Sequence, residues 1–449
     1  MSHALYRNRE LEPNRKHFIN SYPPFNIARQ SCESGLQRKR DLALYVHIPF
    51  CPTICTYCFY KTFRSPAESE VDVYLSYLER ELELFSRQPG AQERRVRTLY
   101  IGGGTPTVLN PDQLRRLVSA LRSALDFSAL EEFCCEVMPH EKTANYEKLE
   151  TLKELGVHRI SFGVESFNQE ILRDHNRHCT PQLYDRTYAM VCDLGFEKIN
   201  IDLMSGLPGE TWSNWRATID KVLDWRPPSV SIYKTEVFYN TNVFTKLRNG
   251  KTIAPMMSDE EEIEHIRYAH DALKTRGAYI VANCLHLVRD MSYNTLHYTH
   301  IWDGMEMKGL GLSAHSCYGG ALHQNSSEIT DYYGYLDSER LPVKRAHEMS
   351  VRDFISQAMV YGIKNLAISR ARFVERFGVD LALIYTDVIH RLLDAGAVTL
   401  DDEWLRVTPQ YYIFADDVAR MFFLPEYENM MLSHMERPAR ETPSLIAAS

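Results

Sequence analysis

Short apolar runs alternating with amphipathic stretches predict an α/β chain. The expected architecture is a partial or full (β/α) barrel with an N-terminal arm and a small helical, winged-helix-like C-terminal domain. Three observations carry this reading. Six or more strand–helix units follow one another between residues 41 and 345. The cysteine-bearing and glycine-rich segments fall directly after predicted strands, where barrels of this kind place their functional groups. After about residue 345 the alternation gives way to helices and a hairpin-like pair.

The 449 residues suit one large barrel or two to three domains. With 51 Lys+Arg against 59 Asp+Glu the net charge is −8, which speaks against nucleic acid as a partner. No apolar run approaches the roughly 20 residues that span a bilayer, and residues 1–18 lack the apolar core of a secretory signal. Ten cysteines in this length are too few for a disulfide scaffold. A reducing, cytoplasmic location with free thiols is the expectation.

The elements follow in order. Residues 1–40 are polar, with Pro13, Pro23 and Pro24, and read as an irregular arm. Residues 42–48 (LALYVHI) read as a strand leading into the cysteine loop. Val71, Tyr74, Leu75, Leu78, Leu82 and Phe85 fall at three- and four-residue steps, a helix with one apolar stripe. Residues 97–101 form the next strand and end in Gly102-Gly103-Gly104-Thr105-Pro106-Thr107. The helix 111–125 follows, with Asn110 as N-cap and Pro111 in its first turn. Further strands are expected near 132–137, 158–162, 198–203, 229–234 and 278–283, and helices near 143–155, 181–194, 212–224 and 259–276. In the C-terminal region, residues 350–366, 371–378 and 381–398 read as helices. WLRVTP (404–409) and QYYIF (410–414) read as a hairpin-like pair. Without a basic stripe, this part (346–435) reads as a lid or packing domain rather than a DNA reader. Residues 436–449 read as a disordered tail.

Cys51, Cys55 and Cys58 stand as C-x3-C-x2-C in HIPFCPTICTYCFYKTF. From the cysteine frequency, such a triplet arises by chance roughly 0.005 times in a chain of this length. The remaining cysteines are scattered, mostly among apolar neighbours, and read as buried small hydrophobes. Structural zinc uses four closed ligands, usually as two separated pairs, and no second C-x2-C exists. His47, in the apolar run before the loop, reads as a core or capping histidine rather than a fourth ligand. A redox C-x2-C pair leaves Cys51 unexplained. A [4Fe–4S] cube on three thiolates keeps one iron open for a cofactor or substrate.

C-x3-C-x2-C directly after a strand resembles the radical S-adenosylmethionine (SAM) enzymes. In that family the open iron chelates SAM, and an electron from the cluster cleaves it to methionine and a 5′-deoxyadenosyl radical. Charged groups at successive strand ends complete the pattern: Glu136 in EEFCCEV, Glu165 in ISFGVESFN, Arg177 in HNRH and Asp202 in NIDLMSGLPGET. A carboxylate such as Glu136 at the barrel mouth needs a partner, and the SAM amino group is one.

Over residues 40–415 the chain is similar to the coproporphyrinogen-dehydrogenase-like (HemN-like) branch of that superfamily, through YVHIPFC, IGGGTPT, RISFGVESFN, NIDLMSGLPGET and GLGLSAHS. The resemblance implies SAM contacts at Tyr45, Tyr57, Gly103, Gly104, Thr105, Glu136, Glu165, Arg177 and Asp202. It also implies a second SAM near the glycine run and GLGLSAHS. Tyr233, Lys234 and Glu236 are further pocket candidates. His315 is a candidate for the second SAM or for proton transfer, and Lys234 and His315 are the candidate catalytic groups. Two departures stand out: Tyr60 occupies the position of a further cysteine in the branch's porphyrinogen-oxidising enzymes, and Glu165 replaces their Gln.

The preferred expectation is methyl or methylene transfer to an sp² carbon of an aromatic or alkene natural product, as methylation or cyclopropanation with a second SAM. The alternatives are tetrapyrrole chemistry, as coproporphyrinogen decarboxylation or anaerobic haem ring opening, and a haem chaperone. A flavodoxin- or ferredoxin-type electron donor is the expected partner.

Overall fold

The computed structural model describes residues 11, 19–24, 41–64, 66–249 and 254–427. In chain order the strands are β1 (Asp41–Ile48), β2 (Phe50–Cys51), β3 (Phe63–Arg64), β4 (Arg95–Gly103), β5 (Glu132–Val137), β6 (Arg159–Glu165), β7 (Lys198–Ser205) and β8 (Ser229–Lys234). There follow β9 (Ile280–Val281), β10 (His286–Val288), β11 (Glu306–Leu310), β12 (His315–Tyr318), β13 (Ala321–Asn325), β14 (Val343–Glu348), β15 (Ala367–Ser369), β16 (Val398–Leu400) and β17 (Trp404–Val407).

Twelve of these form one sheet in the order β14-β13-β12-β11-β1-β4-β5-β6-β7-β8-β10-β9. The run β1-β4-β5-β6-β7-β8 is parallel throughout, so the barrel is partial. β11 adds a parallel strand beside β1, and β12 to β14 extend that side antiparallel. The strand expected over 278–283 shrinks to β9. It returns antiparallel through β10 because the turn between them is too short for a crossover helix.

Alternation along each parallel strand separates two environments. Leu42, Leu44, Val46 and Ile48 of β1, Val96, Leu99 and Ile101 of β4, and Phe133, Cys135 and Val137 of β5 join the helix-covered core. So do Ile160, Phe162 and Val164 of β6, Ile199, Ile201 and Leu203 of β7, and Val230 and Ile232 of β8. The opposite face carries Tyr45, His47, Tyr100, Glu136, Ser161, Asp202, Ser231 and Tyr233. That face forms a polar, phenol-rich chamber.

The floor of the chamber is a segment without strand periodicity. Buried Glu132 accepts hydrogen bonds from the amides of Leu296 (3.0 Å) and His297 (3.2 Å) at the start of the helix Leu296–Trp302. This places negative charge at the positive end of the helix dipole. Thr98 Oγ1 lies 2.9 Å from His297 Nδ1, and Arg159 donates to the Tyr293 carbonyl at 2.7 Å. The helix is thereby fixed beneath β1 and β4.

The C-terminal part has its own apolar core, built around Met359, Leu381, Leu392, Leu405 and Phe422. β15-β17-β16 form a three-stranded sheet beside the helix Val351–Lys364, a winged-helix-like arrangement. QYYIF is not a strand. Residues Pro409–Phe414 turn as a 3₁₀ helix, because Thr408 N–H already bonds Ala397 O and Pro409 has no N–H for a ladder. β17 pairs with β15 and β16 instead.

Of the expected arm, Ile19–Pro24 pack on this core. The Tyr22 hydroxyl lies 2.6 Å from Ser356 Oγ and accepts from Leu424 N at 2.9 Å. The expected tail, 436–449, lies outside the described residues, as does Cys32. Cys134, Cys135 and Cys179 are buried as expected, whereas Cys192 is exposed on the outer face of the helix Pro181–Asp193.

Candidate active site

The cysteine loop is a closed excursion from the end of β1. β2 pairs in parallel with β3 and Phe63 N donates to Pro49 O at 2.7 Å, so both ends of the loop are tied. Cys51 and Cys55 are buried and Cys58 is half-buried. The amide of Cys58 bonds Cys55 O at 3.2 Å, closing a tight turn between those two thiols. Among the described residues, no three His, Cys, Asp or Glu side chains converge as around a single metal ion.

Polar donors reach the thiols from two sides. Thr105 Oγ1 donates to Cys51 Sγ at 3.5 Å and Arg177 Nη1 to Cys55 Sγ at 3.6 Å. Burial nevertheless pushes Cys51 up to about 11, against the Thr105 bond. Burial, with Cys55 and Cys51 beside it, pushes Cys58 to about 12. Thiolates in this pocket require positive charge among them, which cluster iron supplies.

The glycine run is sewn to this loop. Gly104 N donates to Ile48 O at 2.8 Å and Thr105 N to Phe50 O at 2.7 Å. A Cβ on Gly104 would stand 2.6 Å from the Phe50 carbonyl oxygen, so the close backbone approach made by Gly104 is to the cysteine loop itself. Gly103, at φ +110°, donates its N–H to Glu136 Oε2 at 3.1 Å.

Glu136, Glu165 and Asp202 come together above the chamber. Glu136 also accepts from Tyr100 Oη at 2.8 Å, so its partners are neutral donors rather than a cation. Asp202 accepts from Ser161 Oγ and Asn200 Nδ2, both at 2.8 Å. Glu165 sits at φ +65°, where the β6–β7 register shifts, and lies 3.6 Å from Arg177 Nη1. The Arg177 guanidinium donates to Gly163 O as well, and its Nε is buried without a hydrogen-bond partner. Burial pushes Glu136 up to about 7, against the Tyr100 bond and with Asp202 adding to the rise. Burial, partly offset by Arg177, holds Glu165 at about 7, and burial raises Asp202 to about 6. Three crowded carboxylates with one arginine form a seat for a cationic ligand. The ammonium and sulfonium of SAM fit it.

Phenols and imidazoles line the remainder. Tyr45 Oη lies 2.9 Å from His47 Nδ1, the Tyr45 ring stacks on Tyr100 at 6.1 Å, and Tyr100 meets Tyr298 at 5.9 Å. Burial lowers His47 to about 4, so the imidazole is neutral. Burial likewise lowers His315, at the start of β12, to about 3, with His47 as the next contributor. Tyr60 lies 6.4 Å from His47 by ring centroids and 4.4 Å from Phe59, which meets Phe238 at 4.6 Å.

Tyr233 faces the chamber. Lys234 alternates to the other face of β8, 3.6 Å from Glu262 on the covering helix Asp259–Gly277 and 3.9 Å from Glu236. That placement turns Lys234 away from the chamber wall. Tyr57 is buried against His175, with ring centroids 5.7 Å apart.

Sequence reasoning missed Tyr100, Tyr298, His175 and Asn176. The period of β4 was a usable signal for Tyr100, since it shares a face with Thr98. Tyr298 had none, because its helix belongs to no strand–helix unit.

The site and sheet define a class. Residues 45–222 match the model of the radical SAM superfamily, so the chain carries a radical SAM domain. Its cofactors are a [4Fe–4S] cluster and SAM. The chain is 29% identical to the heme chaperone HemW of Bacillus subtilis over 380 residues, covering 84% of this chain and 98% of the chaperone. It is 28% identical to the oxygen-independent coproporphyrinogen III oxidase of Pseudomonas aeruginosa over 437 residues, covering 93% and 92%. The solved structure of the Escherichia coli coproporphyrinogen III oxidase HemN, described as a radical SAM enzyme, superposes with a TM-score of 0.79 at 25% identity. That match covers 90% of this chain and 96% of HemN. These relatives are named for haem and coproporphyrinogen rather than for one-carbon transfer, so they favour the tetrapyrrole and haem-chaperone alternatives over the methyltransferase expectation. Among the described residues, no helix is long and apolar enough to cross a membrane.

Proposed function

We propose that this chain is a radical SAM enzyme acting on a tetrapyrrole, with Cys51, Cys55 and Cys58 as the cluster ligands. The observation that carries the substrate class is the aromatic wall beside the cysteine loop. Phe59, Tyr60 and Phe238 form contiguous ring contacts, and Tyr60 keeps 48% of its surface exposed. A flat conjugated macrocycle stacks on such a wall. The names of both groups of relatives point to the same class.

When bound, the cluster and SAM supply a carbon-centred radical that abstracts hydrogen from the substrate. The chain's own residues hold and enclose that chemistry. Glu136, Glu165 and Asp202 receive the cationic end of SAM, Arg177 balances them, and Gly103 keeps the strand end open. Tyr45 and Tyr100 close the inner side. A second SAM is proposed against the turn Gly309–His315. There the backbone of Gly311, at φ +101°, runs beside His47, and His315 neighbours the same residue.

An intact carboxylate–arginine set supports an enzyme over a haem carrier, as does the docking of Ile19–Pro24 on the C-terminal core. Tyr60 in place of the further cysteine supports attack on the macrocycle, as in haem ring opening, over decarboxylation of coproporphyrinogen. A flavodoxin- or ferredoxin-type protein is the proposed electron donor.

The test is an anaerobic assay of the reconstituted chain with reductant, SAM and either haem or coproporphyrinogen III. Expected are 5′-deoxyadenosine and consumption of haem absorbance. Tight haem binding without SAM cleavage would establish the carrier instead. Methyl-labelled SAM tests one-carbon transfer in the same vessel: label in the tetrapyrrole product would join that expectation to this substrate.

A further inference from the structure

Three consecutive residues after the helix Gln169–Asp174 grip three consecutive residues of the cysteine loop. Asn176 Nδ2 donates to Ile54 O at 3.2 Å, and Arg177 Nη1 donates to Cys55 Sγ at 3.6 Å. Thr56 N donates to His175 O at 3.3 Å, while Thr56 Oγ1 lies 2.5 Å from His175 Nδ1. The other ring nitrogen of His175 lies 3.1 Å from Pro208 O. A carbonyl accepts only, so Nε2 carries the proton and Nδ1 accepts from the threonine hydroxyl. Thr56 O in turn accepts from Val243 N at 3.1 Å. Every polar atom of Thr56, the residue between Cys55 and Tyr57, is thus bonded, the amide and hydroxyl to His175 and the carbonyl to Val243.

The clasp is expensive to form locally. Asn176 holds φ +60°, a left-handed conformation that asparagine tolerates better than most residues. His175 is buried, with 4% of its surface exposed, and both ring nitrogens are satisfied.

We infer that His175 and Asn176 are positioning residues for the cluster. Through Thr56 and Ile54 they hold the Cys55–Cys58 turn in ligand geometry before iron arrives, so that assembly does not have to order the loop. The inference rests on Cys51, Cys55 and Cys58 as cluster ligands.

The test compares wild type with Thr56→Val, His175→Ala, Asn176→Gly and Thr56→Ser. Each chain is reconstituted to equal iron, and iron release to a chelator is followed anaerobically. Melting of the metal-free chains is recorded in parallel. Thr56→Val and His175→Ala are expected to release iron about 10- to 100-fold faster, the range typical when supporting partners of metal ligands are removed. Their double variant should be no faster than either alone, and Thr56→Ser should behave as wild type. Asn176→Gly keeps the left-handed backbone and removes only the amide, so it carries the test if a core variant fails to fold. Its release should also accelerate.

Release at the wild-type rate in Thr56→Val and Asn176→Gly would overturn the inference. So would a fall in metal-free melting temperature that accounts for the faster release. Failure of the cluster reading looks different: wild type would bind no iron, or Cys51→Ala would retain it.

Discussion

Glu81 and Lys308 face each other 3.7 Å apart inside the protein, the carboxylate on the helix Glu68–Ser86 and the ammonium on β11. Glu81 has no exposed surface, and it falls on the stripe formed by Leu75, Leu78, Leu82 and Phe85. Its oxygens accept from Gly311 N and Tyr332 Oη at 2.7 Å and from Asn325 Nδ2 at 2.8 Å. Glu81 and Tyr74, which accepts from Leu312 N at 3.0 Å, pin the Gly309–His315 turn to the first helix.

Removing one member of this buried set leaves the others unsatisfied. Glu81→Ala strands the Lys308 ammonium and is expected to cost about 3–5 kcal/mol, whereas Glu81→Gln keeps most of the hydrogen bonds and costs about 1–3 kcal/mol. Denaturant unfolding of the metal-free chains reads both. A loss below about 1 kcal/mol in Glu81→Ala would show that the pair is not integral to folding.

Glu136 ties stability to pH. Its carboxyl rises from 4.5 unfolded to about 7 folded, so folding favours the protonated form. That contribution is complete below pH 4.5 and is lost as pH rises through 7, on the order of 3 kcal/mol. Glu136→Gln removes the dependence. At pH 8 the ligand-free variant should therefore melt higher than wild type, while at pH 4.5 the two should nearly coincide. Its SAM affinity should fall at least about 10-fold, because the ammonium loses a carboxylate. Equal melting at both pH values would contradict this assignment.

On the tetrapyrrole proposal, Tyr60 serves the substrate rather than the cluster. In Tyr60→Ala, iron content and SAM cleavage without substrate should remain at wild-type levels. Haem affinity should weaken about 10-fold, the equivalent of one lost aromatic stacking contact. Titration of the metal-loaded chain decides it, and loss of iron in this variant would assign Tyr60 to the cluster loop instead.

Gly104 tests the seam between the glycine and cysteine loops. A methyl group there meets the Phe50 carbonyl at 2.6 Å, so Gly104→Ala must part the two loops and should destabilise the chain by about 1–3 kcal/mol. Iron loading should fall with it, since Thr105 is carried away from Cys51. A variant that melts and loads iron as wild type would show the seam to be slack.

Much of this was legible before folding, for an identifiable reason. A strand presents alternate residues to opposite faces, so the aliphatic residues of β1 and β4 to β8 announced which face meets the helices. By the same rule Tyr45, Glu136, Asp202 and Tyr233 had to share the other. Lys234 was misplaced by neglecting that rule, since it follows Tyr233 by one residue and takes the opposite face. Tyr298 and the Glu132-capped helix below the chamber follow no such period, and their segment carried no signal.

The sequence by itself determined the βα order, the face each strand residue takes and the three-cysteine loop, because these depend on spacing along one chain. The tertiary structure decided what lies 33 to 230 residues away: His175 on Thr56, Arg177 on Cys55, Glu136 beneath Gly103 and Glu81 under Gly311. Those contacts link separate strand ends and loops. They exist only once the sheet has curved and burial has stripped water from the groups, leaving each buried charge to take the partners the fold supplies.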